Sequence, residues 1–327
     1  MGIFEKTLHN DPEYRHLEKY VHIMYRGFWT PAKYEKLIKE VDAPRFYNSM
    51  KELDKETIKR CIMAVNLVED KVKTYWSSLS LDVPQVIVGD VGGLFGMSEV
   101  THRRSYNALS EVLNVDTEDL SEHKALKGRV EYLGKYLEKD SSLRGKKAIL
   151  KKLVLFTSLV ERCSLFTQFY ILMSYAYNNK GLNSISALQE STAIEEIQHY
   201  SFGIDLINII KKEYPQLWDN QMITLVEKNI KEAYVAEVNL IKWFFGKGVP
   251  EHLSEKEVIN FLNYNFNVVC KDLKLDIEYP VDMGMFKEKN EWFKVKVFMT
   301  SEPDFFDNAV PGYASEQKDI DINSFEL

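Results

Sequence analysis

The sequence predicts an all-α helical bundle, and three observations carry that expectation. Apolar residues recur at helical spacing over long stretches, as in Ile58, Ile62, Val65, Val72 and Trp76. These segments follow one another with no strand–helix alternation and no repeat of solenoid period. Two of them carry a Glu-x-x-His pair, Glu99/His102 and Glu196/His199, and two others contribute one glutamate each, Glu69 and Glu161. Two carboxylates plus two such pairs, one helix each, is the four-helix dimetal-carboxylate pattern.

Composition agrees with a soluble globule. The 327 residues can bury one large core or at most two, with 45% hydrophobic and 28% charged residues. A net charge of −7 leaves no basic footprint, which argues against nucleic-acid binding. Met1-Gly-Ile-Phe-Glu-Lys6 lacks the apolar run of a secretory signal, so a cytoplasmic location is expected. Cys61, Cys163 and Cys270 lie far apart and read as reduced, buried thiols. Glu161, Arg162 and Gln168 interrupt the most apolar run, from about Leu153 to Tyr177, before it reaches the roughly 20 residues of a membrane span. It reads as a core helix.

Taken in order, Tyr14, Leu17, Val21 and Met24 keep helical spacing up to a break at Phe28-Trp29-Thr30-Pro31, where Thr30 suits an N-cap and Pro31 the first helical position. From Glu56 to Trp76 the spacing predicts one helix, with Glu69 in its apolar stripe and Asp70 outside it. Leu81 to Met97, rich in Gly and Val, reads as a loop whose glycines match no phosphate-binding fingerprint. Asp116 to Lys152 reads as solvated helix and turn. One apolar helix is expected to Tyr177, stopped by Asn178-Asn179-Lys180-Gly181, and another from about Ser186 to Lys212, ended by Pro215. A further helix runs to Phe245, and Ser254 with Glu257 forms a capping box ahead of a helix to about Leu273. Beyond it Pro280, Pro303, Pro311 and Gly312 punctuate a segment with no sustained period, ending in an acidic tail expected to be mobile.

On a helix, positions i, i+3 and i+7 share one stripe, so Glu99, His102 and Tyr106 project into the same volume. Glu13-x-x-His16 has the same spacing as the two pairs but sits beside Pro12 in the first segment, and reads as coincidence. Taken singly, each glutamate is more simply a surface or ion-paired residue; six such residues together are not. Four glutamates inside one bundle cannot stay ionised without partners, because a buried isolated carboxylate costs several kcal/mol or becomes neutral. Two divalent cations cancel those charges and two neutral imidazoles complete the coordination. Oxygen and nitrogen ligands suit iron or manganese, and the lack of ligating cysteine argues against structural zinc. The expected ligands are Glu69, Glu99, His102, Glu161, Glu196 and His199. Gly203 takes the i+7 place after Glu196, where it is expected to leave room, so one oxidisable ring, Tyr106, lies beside one half.

With these residues in place the chain resembles the small, radical-generating subunit of class I ribonucleotide reductase. Phe28-Trp29-Thr30-Pro31 resembles the family's N-terminal tryptophan motif, Glu99-x-x-His102-Arg-Arg-Ser-Tyr106 its ligand and radical-tyrosine helix, and Ile194-Glu-Glu196-Ile-Gln-His199 its second ligand pair. Asp321-Ile-Asn-Ser-Phe325-Glu-Leu327 resembles the peptide by which the family docks on its large catalytic subunit. The resemblance implies a homodimeric ferritin-like domain over residues 1–300 and a flexible docking tail over 301–327. It implies that a reduced dinuclear manganese or iron centre reacts with an oxygen species to make a one-electron oxidant. Tyr106 is then the candidate radical, and the oxidising equivalent passes by way of Trp29 and Tyr313 to the large subunit, where nucleotides are reduced.

Two departures stand out: Glu69 where most members have aspartate, and Glu195 where aspartate is common. Glutamate at the first position resembles subgroups that use manganese, alone or with iron, in some of which the metal cluster stores the oxidising equivalent. A flavoprotein activase is a further partner that the resemblance brings in. The alternative on the same scaffold is a ligand-binding dimetal oxidase or desaturase-like enzyme. A metal-storage bundle, the third reading, has no need of Trp29 or the tail.

Overall fold

The computed structural model describes residues 2–9, 11–72, 74–116, 123–138 and 143–299. Tyr313 and the docking tail lie outside the described residues. A short 3₁₀ turn, Pro12–Leu17, leads into α1 (Glu18–Gly27), α2 (Ala32–Leu37) and α3 (Ala43–Ser49). Then come α4 (Glu52–Val72), α5 (Tyr75–Asp82), α6 (Val86–Leu113), α7 (Lys127–Gly134) and α8 (Lys146–Leu155). A π-helical segment, Phe156–Cys163, joins α8 to α9 (Phe166–Tyr177). Three long helices follow, α10 (Asn183–Glu213), α11 (Asn220–Phe244) and α12 (Glu255–Leu273). Among the described residues the only β-type pairing is an isolated bridge between Gly246 and Gly248. The all-α expectation holds, and the bundle is ferritin-like, with inward-facing carboxylates on its long helices.

Several boundaries differ from the sequence reading, each for a physical reason. The Gly-rich stretch is not a loop: α6 starts at Val86 and runs through it. Two of its glycines serve close helix packing, since a Cβ on Gly92 would lie 2.4 Å from the Trp76 carbonyl oxygen and one on Gly96 would lie 2.9 Å from the Ser77 Cβ. Trp76 belongs to α5, beyond the end of α4, rather than to the Glu69 helix. The expected single helix to Tyr177 is broken by the π segment and by Ser164-Leu165. Thr30 gives no side-chain cap; its carbonyl accepts from Lys33 N at 3.0 Å and α2 begins two residues later. The capping box stands, with Ser254 Oγ accepting from Glu257 N at 3.1 Å.

The segment read as solvated contains a buried ion pair, Arg129 on α7 with Glu237 on α11. After Leu273 the chain is held by side chains instead of periodicity. Asn260, Asn263 and Asn267 of α12 bond to the backbone of Asp282, Pro280 and Tyr279, so each amide replaces a missing helical partner. The three cysteines are buried and unpaired, as expected. No described helix is long and apolar enough to cross a membrane.

Candidate metal centre

The six expected ligands converge. Glu69 comes from α4, Glu99 and His102 from α6, Glu161 from the π segment, and Glu196 and His199 from α10; none is more than 1% exposed. The π-helical winding sets the orientation of Glu161, a use to which such local rewinding is often put at functional sites. Potential ligand atoms of Glu99, Glu161, Glu196 and His199 lie within 4.8 Å of one another, and so do those of Glu69, Glu99 and His102. Glu99 belongs to both groups.

The spatial pairing crosses between the two sequence pairs. His199 Nδ1 is 3.2 Å from Glu99 Oε1 and 3.0 Å from Glu196 Oε2, while His102 Nδ1 is 3.1 Å from Glu196 Oε1 and 3.8 Å from Glu99 Oε2. Glu99 and Glu196 therefore each turn one oxygen toward either histidine. Glu69 and Glu161 flank them.

Whether these residues fit a metal pair is decided by their unmet bonding. Both oxygens of Glu69, both of Glu99 and Nδ1 of His102 are buried without a hydrogen-bond partner. Such a concentration of orphaned buried acceptors is costly unless a cation satisfies it. Burial, reinforced by neighbouring carboxylates, holds the Glu69 and Glu161 carboxyls well above their usual pKa. Burial alone would lower the histidines. For His102 the facing carboxylates of Glu195, Glu196 and Glu99 reverse this, and for His199 those of Glu196, Glu161 and Glu99 do the same. Without metal, protons take the place of cations.

This makes a signed prediction. Groups with raised pKa bind more protons folded than unfolded, so they stabilise the metal-free protein fully below their unfolded values and lose that contribution as pH rises through the folded ones. Above about pH 6.5, metal-free stability should fall while metal affinity climbs, because loading must expel the same protons. A weakly buffered titration with Mn(II) should release several protons per chain; loading with no acidification would contradict the assignment.

The family model for the ribonucleotide reductase small chain matches residues 7–290. The chain belongs to that family. The ribonucleoside-diphosphate reductase subunit beta of Chlamydia pneumoniae is 24% identical over 174 residues, 53% of this chain and 48% of the relative. The match thus spans about half the length of that curated relative. The ribonucleotide reductase R2 subunit from Clostridium botulinum superposes with a TM-score of 0.74 at 14% identity, covering 91% of this chain and 94% of that one. An R2-like ligand-binding oxidase with a Mn/Fe cofactor gives 0.63 at 14% identity, covering 80% and 94%. At these identities the structures establish the fold.

In this small chain the supports around the ligands were less visible than the ligands. Ser98 and Glu195 each precede a ligand glutamate, and each reaches across to the histidine of the opposite helix. Glu195 Oε2 is 2.6 Å from His102 Nε2, and Ser98 Oγ is 3.0 Å from His199 Nε2. Ser98 donates its own proton to the Phe95 carbonyl at 2.8 Å, so it accepts from His199 Nε2–H. Both histidines thereby keep Nδ1 facing the carboxylate cluster, the tautomer control common at metal sites. The polar-Glu-x-x-His pattern, repeated on two helices, was the available signal. Trp76 Nε1 donates to Glu161 Oε1 at 2.7 Å, leaving Oε2 to face His199 at 3.5 Å. No sequence pattern marked Trp76, because it comes from a separate helix.

Trp29 stacks on His102, with ring centroids 5.9 Å apart and planes at 25°. Its buried indole N–H has no partner among the described residues. Tyr106 is fully buried and donates its hydroxyl to Gln189 Oε1 at 2.9 Å, a partner the sequence reading missed. The room expected at Gly203 is occupied: a Cβ there would lie 2.2 Å from Thr157 Oγ1 of the π segment.

Proposed function

We propose that this chain is the radical-generating small subunit of a ribonucleoside-diphosphate reductase. It would hold two manganese or iron ions and supply a one-electron oxidant with which a separate large subunit makes deoxyribonucleotides. The observation that carries this reading is the metal cage walled on one side by an oxidisable indole, Trp29 on His102. Such a wall suits export of an oxidising equivalent more than turnover of a bound organic substrate. The oxidase alternative rests on fold likeness.

Glu69, Glu99, His102, Glu161, Glu196 and His199 would hold the ions, with Glu99 shared between the two groups and Nδ1 of each histidine turned to the carboxylates. Once bound, the pair would supply redox chemistry with an oxygen species. Glu195 and Ser98 hold the imidazole protons on Nε2, Trp76 aims Glu161, and the enclosing rings Phe95, Phe156 and Phe202 keep water out. Trp29 carries the electron between His102 and the surface. The segment 301–327, through Tyr313 and the closing Asp321–Leu327, would dock on the large subunit beyond a helical domain of residues 1–300. A homodimer in the cytoplasm, with a flavoprotein activase, completes the proposal.

Tyr106 is placed second to the metal pair as the store. Forming a neutral tyrosyl radical requires the phenol to lose its proton, and the hydroxyl contacts the Gln189 amide, a poor base. Tyr106→Phe should therefore keep nucleotide reduction within about threefold of the parent. A larger loss, together with a tyrosyl electron paramagnetic resonance signal in the parent, would return the radical to Tyr106.

The function itself is tested by adding the large subunit and measuring nucleotide reduction. Metal-loaded protein should be active, and deletion of Ser324 to Leu327 should abolish both activity and large-subunit binding. Full activity from metal-free protein would overturn the reading.

A further inference from the structure

The cage has a second oxidisable wall, on the side away from Trp29. Trp76 bonds to Glu161 and lies 5.9 Å from the His199 ring, centroid to centroid. Its other described ring contacts are Tyr75 at 5.2 Å and Phe95, Phe156 and Phe202 at 5.4–5.9 Å. Phenylalanine is far harder to oxidise than indole or phenol, so of these neighbours Tyr75 is the natural electron donor to Trp76. Tyr75 in turn contacts Tyr136 at 5.6 Å, and Leu137, the next residue, is 63% exposed. Three oxidisable rings in successive contact thus run from a metal ligand to Tyr136, 7% exposed and next to the exposed Leu137 just after α7, sheathed by rings that cannot take part. At Tyr75 packing alone would be served as well by phenylalanine, without burying a phenol.

We propose that Trp76, Tyr75 and Tyr136 form a discharge relay, which quenches the stored one-electron equivalent when no large subunit is present to accept it. The proposal rests on the function proposed above. One electron passes from Trp76 to the site, then from Tyr75 to Trp76, and then from Tyr136 to Tyr75. Trp76 and Tyr75 end as they began, with their N–H and O–H protons retained or returned. Tyr136 is left as a phenoxyl radical, its proton released to water. A small thiol then gives it a hydrogen atom, restoring the phenol, and two resulting thiyl radicals join as a disulfide.

Connectivity is tested without metal. A near-ultraviolet flash with a sacrificial acceptor photoionises the tryptophans, and the part of the indolyl signal that is lost in Trp76→Phe reports Trp76. That part should give way to a tyrosyl signal. Tyr75→Phe keeps the ring stacked on Phe156 at 3.8 Å and should slow that transfer about tenfold or more. A Trp76 indolyl signal that no tyrosyl signal follows, or a transfer that ignores Tyr75→Phe, overturns the relay. Its role is tested on loaded protein exposed to oxygen with thiol and no large subunit. Tyr136→Phe should lengthen the lifetime of the oxidised state and accumulate oxygenated Trp76 by mass spectrometry, and equal lifetimes with oxidation confined to Trp29 overturn it. Failure to load metal at all would defeat the proposed function and the relay's role with it, while the flash experiment still decides whether the rings are connected.

Discussion

Glu99→Gln is expected to weaken metal binding at both positions by about 100-fold or more, about 2.7 kcal/mol each, and to abolish activity with it. The reason is its sharing: Glu99 belongs to both ligand groups, with Oε1 3.2 Å from His199 Nδ1 and Oε2 3.8 Å from His102 Nδ1. Glu69 belongs to one group, so Glu69→Gln should weaken one position and spare the other. The amide keeps the volume but removes a charge that faces both imidazoles, so the metal-free variant should melt no higher than the parent. Metal stoichiometry by elemental analysis, titration calorimetry with Mn(II) and thermal melts of the apo forms check the three statements together. Two ions bound at parental affinity in Glu99→Gln would remove the shared carboxylate from the site.

The ligand set was legible because its signal is periodic. Glu-x-x-His on an apolar helix places both groups inward whatever the neighbouring helices do, and Glu69 announced itself by lying in the stripe of Val65. What escaped the sequence was whatever depended on how helices approach one another. The glycines of α6 look like a loop until Trp76 and Ser77 of α5 are seen pressed against them, and the same approach puts the Trp76 indole on Glu161. Periodicity also assumes α-helical winding, so it ran straight through the π segment and treated Thr157 and Gly203 as unrelated, although one fills the space of the other. Charge patterning failed in the opposite sense at Arg129. Its neighbours Lys127 and Glu131 are exposed, and only the distant Glu237 explains why the guanidinium turns inward.

That buried pair sets the largest stability effect. Arg129 is 1% exposed and meets Glu237 through two bonds, at 2.8 and 2.5 Å, while Tyr132 donates to the same carboxylate at 2.6 Å. Arg129 also donates to the Ala64 carbonyl of α4 at 3.0 Å. With its amide oxygen turned to Arg129, 2.6 Å from Nη2, Gln168 donates through nitrogen to the carbonyls of Ser164 and Leu165, where the π segment gives way to α9. One guanidinium therefore ties α4, α7, α11 and the exit of the segment that carries Glu161. Glu237→Leu leaves it buried without a counter-charge and should cost about 3–5 kcal/mol. Arg129→Leu/Glu237→Leu removes both charges and should recover most of that loss, because an apolar pair of similar size needs no partner. Denaturant midpoints for the parent, the single variant and the double variant separate the causes. Recovery in the double variant assigns the cost to an unpaired charge, whereas equal destabilisation of single and double would assign it to lost packing and backbone bonding around Ala64 and Ser164.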